Sequence, residues 1–441
     1  MFLPAFSQEE MLMISKLLER IPTLILLALM IAVAACVSTS ENVTTGAGGG
    51  PRVGILIFGD SGYHLDYPDQ EDFVELFSAE GFVEAERRDW LDDNRPMDEF
   101  EARPTQISPV TGRVVAASGM NQVSQAMKDY CLDQMKCDFA VMLGDNIYPS
   151  GATFGADGRD DGQRFHDTLS EPFGNIVADD DNFLSYVTLG NHDWETSRAG
   201  GFAQIDFLEK ADGFYLDGPF YAVQPPAANG AVELFVIDTS MMLAATTVYE
   251  DALNDDGSES PTGMIEEPDY FVEPLTEAER NMHLWLEDAL RQSTAKWKIV
   301  VGHHPLWSSS GSKFEQARAL RKLILPSMCR YADAYLVGHE HTLEVHTDNC
   351  EAALGSAASK PLVQILSGAA AKQRPTNSAF RAYQEGKYPE LDTIWALGLV
   401  WGFAHMEIEG DTAKVTFLSV PDDGGSETSV EFEYRFEHRS D

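Results

Sequence analysis

Phe139-Ala140-Val141-Met142-Leu143-Gly144-Asp145-Asn146-Ile147-Tyr148 runs five apolar residues of strand length into a glycine, an aspartate and, three positions later, a tyrosine. The same grammar recurs along the chain. Val53–Phe58 leads into Gly59-Asp60-Ser61-Gly62, and Tyr186–Leu189 into Gly190-Asn191-His192-Asp193. Lys298–Val301 leads into Gly302-His303-His304, and Ala334–Val337 into Gly338-His339-Glu340-His341. A glycine at each turn lets the backbone bend sharply, so that the next side chain can point at a shared site. Each turn supplies Asp, Asn, His or Tyr, the residue types that bind hard and borderline metal ions. Asp60, Asp145, Tyr148, Asn191, His303, His339 and His341 suit two ions better than one. Paired metals are a recurring device for hydrolysing phosphate esters.

Further strand-length runs occur at Leu234–Ile237 and Val363–Leu366. Helix-period segments alternate with them. Met120, Val123, Met127 and Tyr130 share one helical face; Trp285, Leu286, Ala289 and Leu290 share another, with Thr276 and Glu279 forming a capping-box signature ahead of it. This alternation predicts an α/β fold, a layered α/β/β/α domain. Phe403–Glu409 and Ala413–Leu418 flank Gly410-Asp411 and read as a β-hairpin. In such folds ligands gather beyond the carboxyl ends of the strands, so the motifs are expected to meet there. No internal repeat is present. Residues 63–117, 244–274 and 372–396 read as long loops or insertions in a domain spanning 52–441. The first holds Phe73, Phe77, Phe82 and Trp90, with Arg87 and Arg88 between the last two. It reads either as a decorative surface insertion or as a cap whose arginines hold a distal anion of the substrate.

The 441 residues carry 31 basic and 71 acidic side chains, a net charge of −40. Such a surface repels nucleic acid and anionic membranes, and neither is an expected partner. An anionic substrate then needs local positive charge. At the N-terminus, Lys16 and Arg20 precede an apolar run from Ile21 to Ala35, too short for a membrane span and flanked like a signal peptide. Val33-Ala34-Ala35-Cys36 resembles the lipobox of bacterial lipoproteins. Residues 1–35 are expected to direct export, with translation starting as far along as Met11 or Met13. The protein then resides in the bacterial periplasm or cell envelope, lipid-anchored at Cys36. The alternative is simple secretion after cleavage nearby, with Cys36 incidental. Residues 36–51, rich in Ser, Thr and Gly, read as a flexible linker. Export places the domain in an oxidising compartment. Cys131, Cys137, Cys329 and Cys350 allow three pairings, of which Cys131–Cys137 with Cys329–Cys350 is the most local; four reduced thiols are the alternative.

The five motifs together resemble the metallophosphoesterase superfamily, specifically its purple acid phosphatase branch, which includes the tartrate-resistant acid phosphatases. The resemblance covers roughly Val53 to Leu418. Most of the superfamily has Asp-x-His in the first motif, where this chain has Gly62; the purple branch has instead a tyrosine ligand, matched by Tyr148. The resemblance implies iron(III) held by Asp60, Asp145, Tyr148 and His341. It implies a divalent iron, zinc or manganese held by Asp145, Asn191, His303 and His339, with Asp145 bridging. It also implies hydrolysis of phosphomonoesters, with an acidic optimum, by attack of a metal-bound hydroxide on phosphorus. His192 and His304 are the candidates for binding phosphate and protonating the leaving group, and Asp193 for orienting His192. Glu340 stands where many relatives have Asp, and is either a supporting neighbour or merely exposed. His64 is a weaker substitute for the missing histidine. Two rival readings are a phosphodiesterase or nucleotide pyrophosphatase on the same site, and a non-catalytic surface binding protein.

Overall fold

The computed structural model describes residues 52–67, 78–177, 180, 182–246, 249–253, 259–265, 272–311 and 314–439. The expected export segment and linker, with Cys36, lie outside the described residues, as do Phe73 and Phe77. In chain order the strands begin with β1 (Arg52–Phe58), β2 (Thr105–Ile107), β3 (Val114–Ala116), β4 (Phe139–Leu143), β5 (Ser185–Thr188) and β6 (Phe214–Tyr215). Next come β7 (Tyr221–Val223), β8 (Val232–Val236), β9 (Tyr249–Leu253), β10 (Glu259–Ile265), β11 (Trp297–Val301) and β12 (Ala334–Val337). The last are β13 (Leu343–Asp348), β14 (Leu362–Ser367), β15 (Leu391–Leu397), β16 (Trp401–Glu409), β17 (Thr412–Val420) and β18 (Ser429–Glu437).

Two seven-stranded sheets result, in the orders β18-β17-β16-β1-β4-β5-β6 and β15-β13-β14-β12-β11-β8-β7. The centre of each is parallel: β1, β4 and β5 in the first, and β8, β11, β12 and β14 in the second. Parallel strands covered on both faces read as continuous apolar runs, and Ile55 to Phe58 and Ala140 to Leu143 are fully buried. The sheets face each other and are tied across the core. Ser367 Oγ donates to Ile57 O at 2.9 Å and Thr188 Oγ1 to Ile237 O at 3.1 Å.

Helices cover the outer faces, giving the expected α/β/β/α layers. Met120–Asp133 lies on β16 and β17, burying Val123, Met127 and Tyr130. Met282–Gln292 lies against β8 and beside the helix Phe314–Tyr331, burying Met282, Leu286 and Leu290. The Thr276/Glu279 capping box forms, but on a separate short turn, Glu277–Arg280, which breaks at Asn281 before that helix starts. The hairpin at Gly410-Asp411 is the β16–β17 pair. Cys131–Cys137 and Cys329–Cys350 are disulfides, the most local of the pairings.

The three segments read as insertions differ in kind. The first holds the helix Ala79–Asp92 and the β2–β3 hairpin, and the second the β9–β10 pair. Residues 372–396 contain all but the last residue of β15, which pairs with β13 as the edge of the second sheet. Asp392 and Thr393 break its apolar pattern. Trp395 nonetheless stacks on Phe432 at 5.1 Å, joining this edge to the first sheet.

His405 of β16 is buried between Tyr130 and the carbonyl of Lys136. Burial pushes it down to about 4. A histidine lowered in the folded state binds its proton more readily when unfolded. Its stabilising contribution is therefore complete above its ordinary value of about 6.5, and is lost as pH falls from there towards 4. Acid should cost about 3 kcal/mol through this residue by pH 4. Denaturant titrations of His405→Gln, which keeps a donor for Lys136 O, should show a flatter stability profile between pH 6.5 and 4 than the parent.

Candidate metal centre

β1, β4 and β5 end side by side, as do β11, β12 and β14, and the two sets of carboxyl ends meet. His339 N donates to Asp60 Oδ2 at 2.7 Å, and His303 Nδ1 to Leu143 O at 2.8 Å. All seven expected donors converge at this junction in two groups that share Asp145.

In the first group the Tyr148 hydroxyl lies 3.1 Å from Asp60 Oδ1, 2.8 Å from Asp145 Oδ2 and 3.2 Å from His341 Nε2. In the second, Asn191 Oδ1 lies 3.2 Å from His303 Nε2 and 3.0 Å from His339 Nδ1. His303 Nε2 also stands 3.3 Å from Asp145 Oδ1. Asp60, Asp145 and His341 can each offer an atom within 4.8 Å of the others, and so can Asp145, His303 and His339.

The donor chemistry fits metal ions. His303 commits Nδ1 to a carbonyl, so Nε2 presents a lone pair to the amide oxygen of Asn191. Two acceptors facing each other are satisfied by a cation between them. Burial opposes charge on His303, yet the adjacent Asp145 lifts it to about 9. The carboxylate thus draws positive charge, proton or metal, onto this spot. Burial, with Asp145 beside it, raises Asp60 to about 8. Burial also works against Asp145, but His303 and His192 hold it well below the ordinary carboxylate range. Two buried carboxylates around one phenol are costly without cations of their own.

The turns differ from the expected form. Asp60, Asp145 and His339 themselves adopt left-handed conformations, with φ of 55°, 50° and 73°. Such strain of roughly 1–2 kcal/mol per residue is typical of functional sites. Among the motif glycines, Gly144 shares that conformation, while Gly190 and Gly338 supply room. A Cβ at Gly190 would stand 2.2 Å from Asp145 Oδ1, and one at Gly338 2.5 Å from Asp60 Oδ2. At Gly62 a Cβ would stand 2.0 Å from Asn146 O. The loop that brings in Tyr148 occupies the space a histidine there would need. His64 does not take its place: its Nδ1 accepts from Asp66 N and its ring packs on Tyr67.

Asp193 does not hydrogen-bond His192. Its carboxylate accepts from Gly190 N at 2.7 Å, Asn146 N at 3.0 Å, Ile147 N at 3.2 Å and Gln204 Nε2 at 2.9 Å. It clamps the second motif to the third. His192 Nδ1 instead meets Pro149 O at 2.6 Å and Glu195 Oε2 at 2.7 Å, and its ring lies 4.5 Å from that of Tyr148. His304 is buried, with Nδ1 2.8 Å from Thr239 Oγ1 and its ring 4.5 Å from that of His339. Glu340 is fully buried and pairs with Arg374 at 2.5 Å.

Arg87 lies 4.4 Å over the Phe100 ring and 3.7 Å from Glu84, and Arg88 is exposed on the same helix. The root of that segment does reach the site, where the rings of Tyr63 and Tyr148 meet edge-on at 6.3 Å. Two residues escaped the sequence reading, Lys372 and Arg374. They follow β14, which ends in Ser367-Gly368, the same strand–glycine grammar without a metal-type side chain after it.

Sheet order, converging strand ends and donor set define a metallophosphoesterase. The chain belongs to the calcineurin-like phosphoesterase family, whose model matches residues 55–343. Tartrate-resistant acid phosphatase type 5 of Sus scrofa is 26% identical over 311 residues, 68% of this chain and 78% of that protein. Purple acid phosphatase 4 of Arabidopsis thaliana is 28% identical over 295 residues, covering 65% of this chain and 72% of that protein. In fold alone, the chain resembles the solved structure described as GAP50, the anchor in the inner membrane complex of Plasmodium. The TM-score is 0.50 at 13% identity, over 88% of this chain and 90% of that one. The protein is a phosphatase that hydrolyses phosphoesters.

Asp193→Ala should strand three backbone N–H groups and release the Tyr148 loop. Thermal or denaturant unfolding is expected to show a loss of roughly 3–5 kcal/mol, with metal content falling alongside. His192→Ala, at the edge of the site, should leave stability within about 1 kcal/mol.

Proposed function

We propose that the protein is a dinuclear acid phosphatase acting on phosphomonoesters, with iron(III) beside Tyr148 and divalent iron, zinc or manganese beside His303. The observation that carries this reading is Asp145, shared by both donor groups. Two ions held there would clamp a phosphoryl group and make water nucleophilic near neutral pH. Asp60, Asp145, Tyr148 and His341 would hold the first, and Asp145, Asn191, His303 and His339 the second. Burial and the two carboxylates push the Tyr148 phenol well above its ordinary value, so only a strongly Lewis-acidic ion makes it a phenolate. That favours the trivalent metal on this side.

His192 is the general acid. Pro149 and Glu195 hold its Nδ1 proton, which leaves Nε2 for the leaving-group oxygen. Its side chain keeps 26% exposure, placing it where substrate enters. His304 is better suited to supporting His339, whose ring it packs against. The two disulfides are in keeping with export, and we place the protein in the bacterial envelope, anchored through Cys36. Mass spectrometry of the mature N-terminus tests this: an unmodified start elsewhere means secretion.

Purified protein should absorb visible light through phenolate-to-iron charge transfer, and Tyr148→Phe should bleach it. A colourless, fully active enzyme containing only zinc would overturn the iron assignment. Asp145→Asn should lose more metal and activity than His303→Ala, which touches one group only; equal, mild losses would exclude a bridge. His192→Ala should keep its metals and slow turnover by roughly 10²–10⁴-fold. A panel of mono- and diesters decides between phosphomonoesterase and phosphodiesterase or pyrophosphatase activity.

A further inference from the structure

We propose that Lys372 binds the phosphoryl group of the substrate at the mouth of the metal centre. This rests on the phosphatase reading above and adds to it a residue outside the expected ligand and acid–base set.

The backbone around Lys372 is pinned to two of the metal motifs. Ala371 N donates to Asp60 O at 3.1 Å, and Arg374 N to His341 O at 3.0 Å. On the far side Gly119 N donates to Ala371 O at 3.0 Å. The side chain therefore starts from a fixed origin beside the first donor group. Its ammonium lies 4.4 Å from the centre of the Tyr148 ring and 5.2 Å from that of Tyr63. Tyr148 is buried and its hydroxyl sits among Asp60, Asp145 and His341. The two aromatic rings help hold the charge at the rim of the cluster.

This rim is on the open side of the cluster. Asp60, Asp145 and His303 are closed off from solvent, whereas Asn191, His339 and His341 are 6%, 5% and 6% exposed. His192, which keeps 26% side-chain exposure, lies against the same Tyr148 ring, and Lys372 is half-buried. A lysine binds phosphate as a compact point charge without demanding a planar partner, which suits a group that turns over at each cycle.

The test uses metal-loaded enzyme with Lys372→Met and Lys372→Arg. Steady-state kinetics on a small aryl phosphate and calorimetric binding of inorganic phosphate are read beside metal content and melting temperature. Inorganic phosphate has no leaving group, so its affinity isolates the phosphoryl contact. Lys372→Met should raise KM and weaken phosphate binding by roughly 10- to 100-fold, with a smaller change in kcat and full metal content. Lys372→Arg, which keeps the charge, should recover part of the phosphate affinity lost in Lys372→Met. A metal-replete Met variant with parental phosphate affinity overturns the proposal. Should that variant fail to fold, Lys372→Gln is read by the same criterion. A parent enzyme that hydrolyses no phosphoester overturns instead the phosphatase reading; an active parent with unaffected variants overturns Lys372 alone.

Discussion

Two carboxylates, Asp60 and Asp145, are buried within reach of one phenol, and the rest of the structure answers to that constraint. An isolated carboxylate in a protein interior costs several kcal/mol even after relaxation. Here the backbone offsets part of the cost: Asp60 accepts from His339 N and Asp145 from His192 N. The remaining charge is left for cations, and the surrounding donors are arranged to share them. A protein selected only for stability would replace this cluster by apolar side chains of similar volume. Its presence at the junction of two otherwise apolar sheets is the physical mark of a site.

Holding that cluster requires agreement between segments far apart in the chain. The parallel registers of β1 with β4 and of β11 with β12 bring the strand ends level. Asp193 then locks the second motif to the third, Leu143 O sets the ring of His303, and Ala371 N ties the β14 loop to Asp60. The bonds Asn146 N to Asp193, His303 to Leu143 O and Ala371 N to Asp60 O each join segments far apart in the chain. The left-handed turns at Asp60, Asp145 and His339 persist because neighbours on both sheets over-determine them. Local strain and long-range tethering are two parts of one device.

This explains what could be read from the chain. Phe139–Leu143 and Ala334–Val337 are strands with the boundaries their apolar runs imply, because both faces are buried and nothing polar interrupts them. The donors were legible because Asp, Asn, His and Tyr at repeated strand ends have few structural uses in common. Partnership was less visible. Asp193 sits beside His192 in sequence, yet a helical turn points their side chains apart, and its carboxylate serves a loop 47 residues earlier. β15 was hidden by Asp392 and Thr393, since an edge strand need not be apolar throughout. Gly62 looked like a loss, whereas the structure shows its space taken by the carbonyl of Asn146. Lys372 carried no signal at all, because a lysine after a strand is usually solvated and only the fold puts its ammonium over Tyr148.

The net charge of −40 sharpens the role of that lysine. Exposed charges separated by more than about 8 Å are largely screened at physiological ionic strength. The acidic surface therefore sets solubility and slows the approach of anions without dictating what happens inside the mouth. There the dielectric is lower, screening is weak, and single charges at short range decide the potential. Arg374 spends its charge on buried Glu340, stabilising the strand end that carries His339 and His341. Lys372 lies over the aromatic faces of Tyr148 and Tyr63, which attract a cation. The same loop thus supplies one cation that holds the ligands in place and another over the Tyr148 ring. In a strongly acidic protein, positive charge held this close to the centre favours admitting a dianion to a site built on carboxylates.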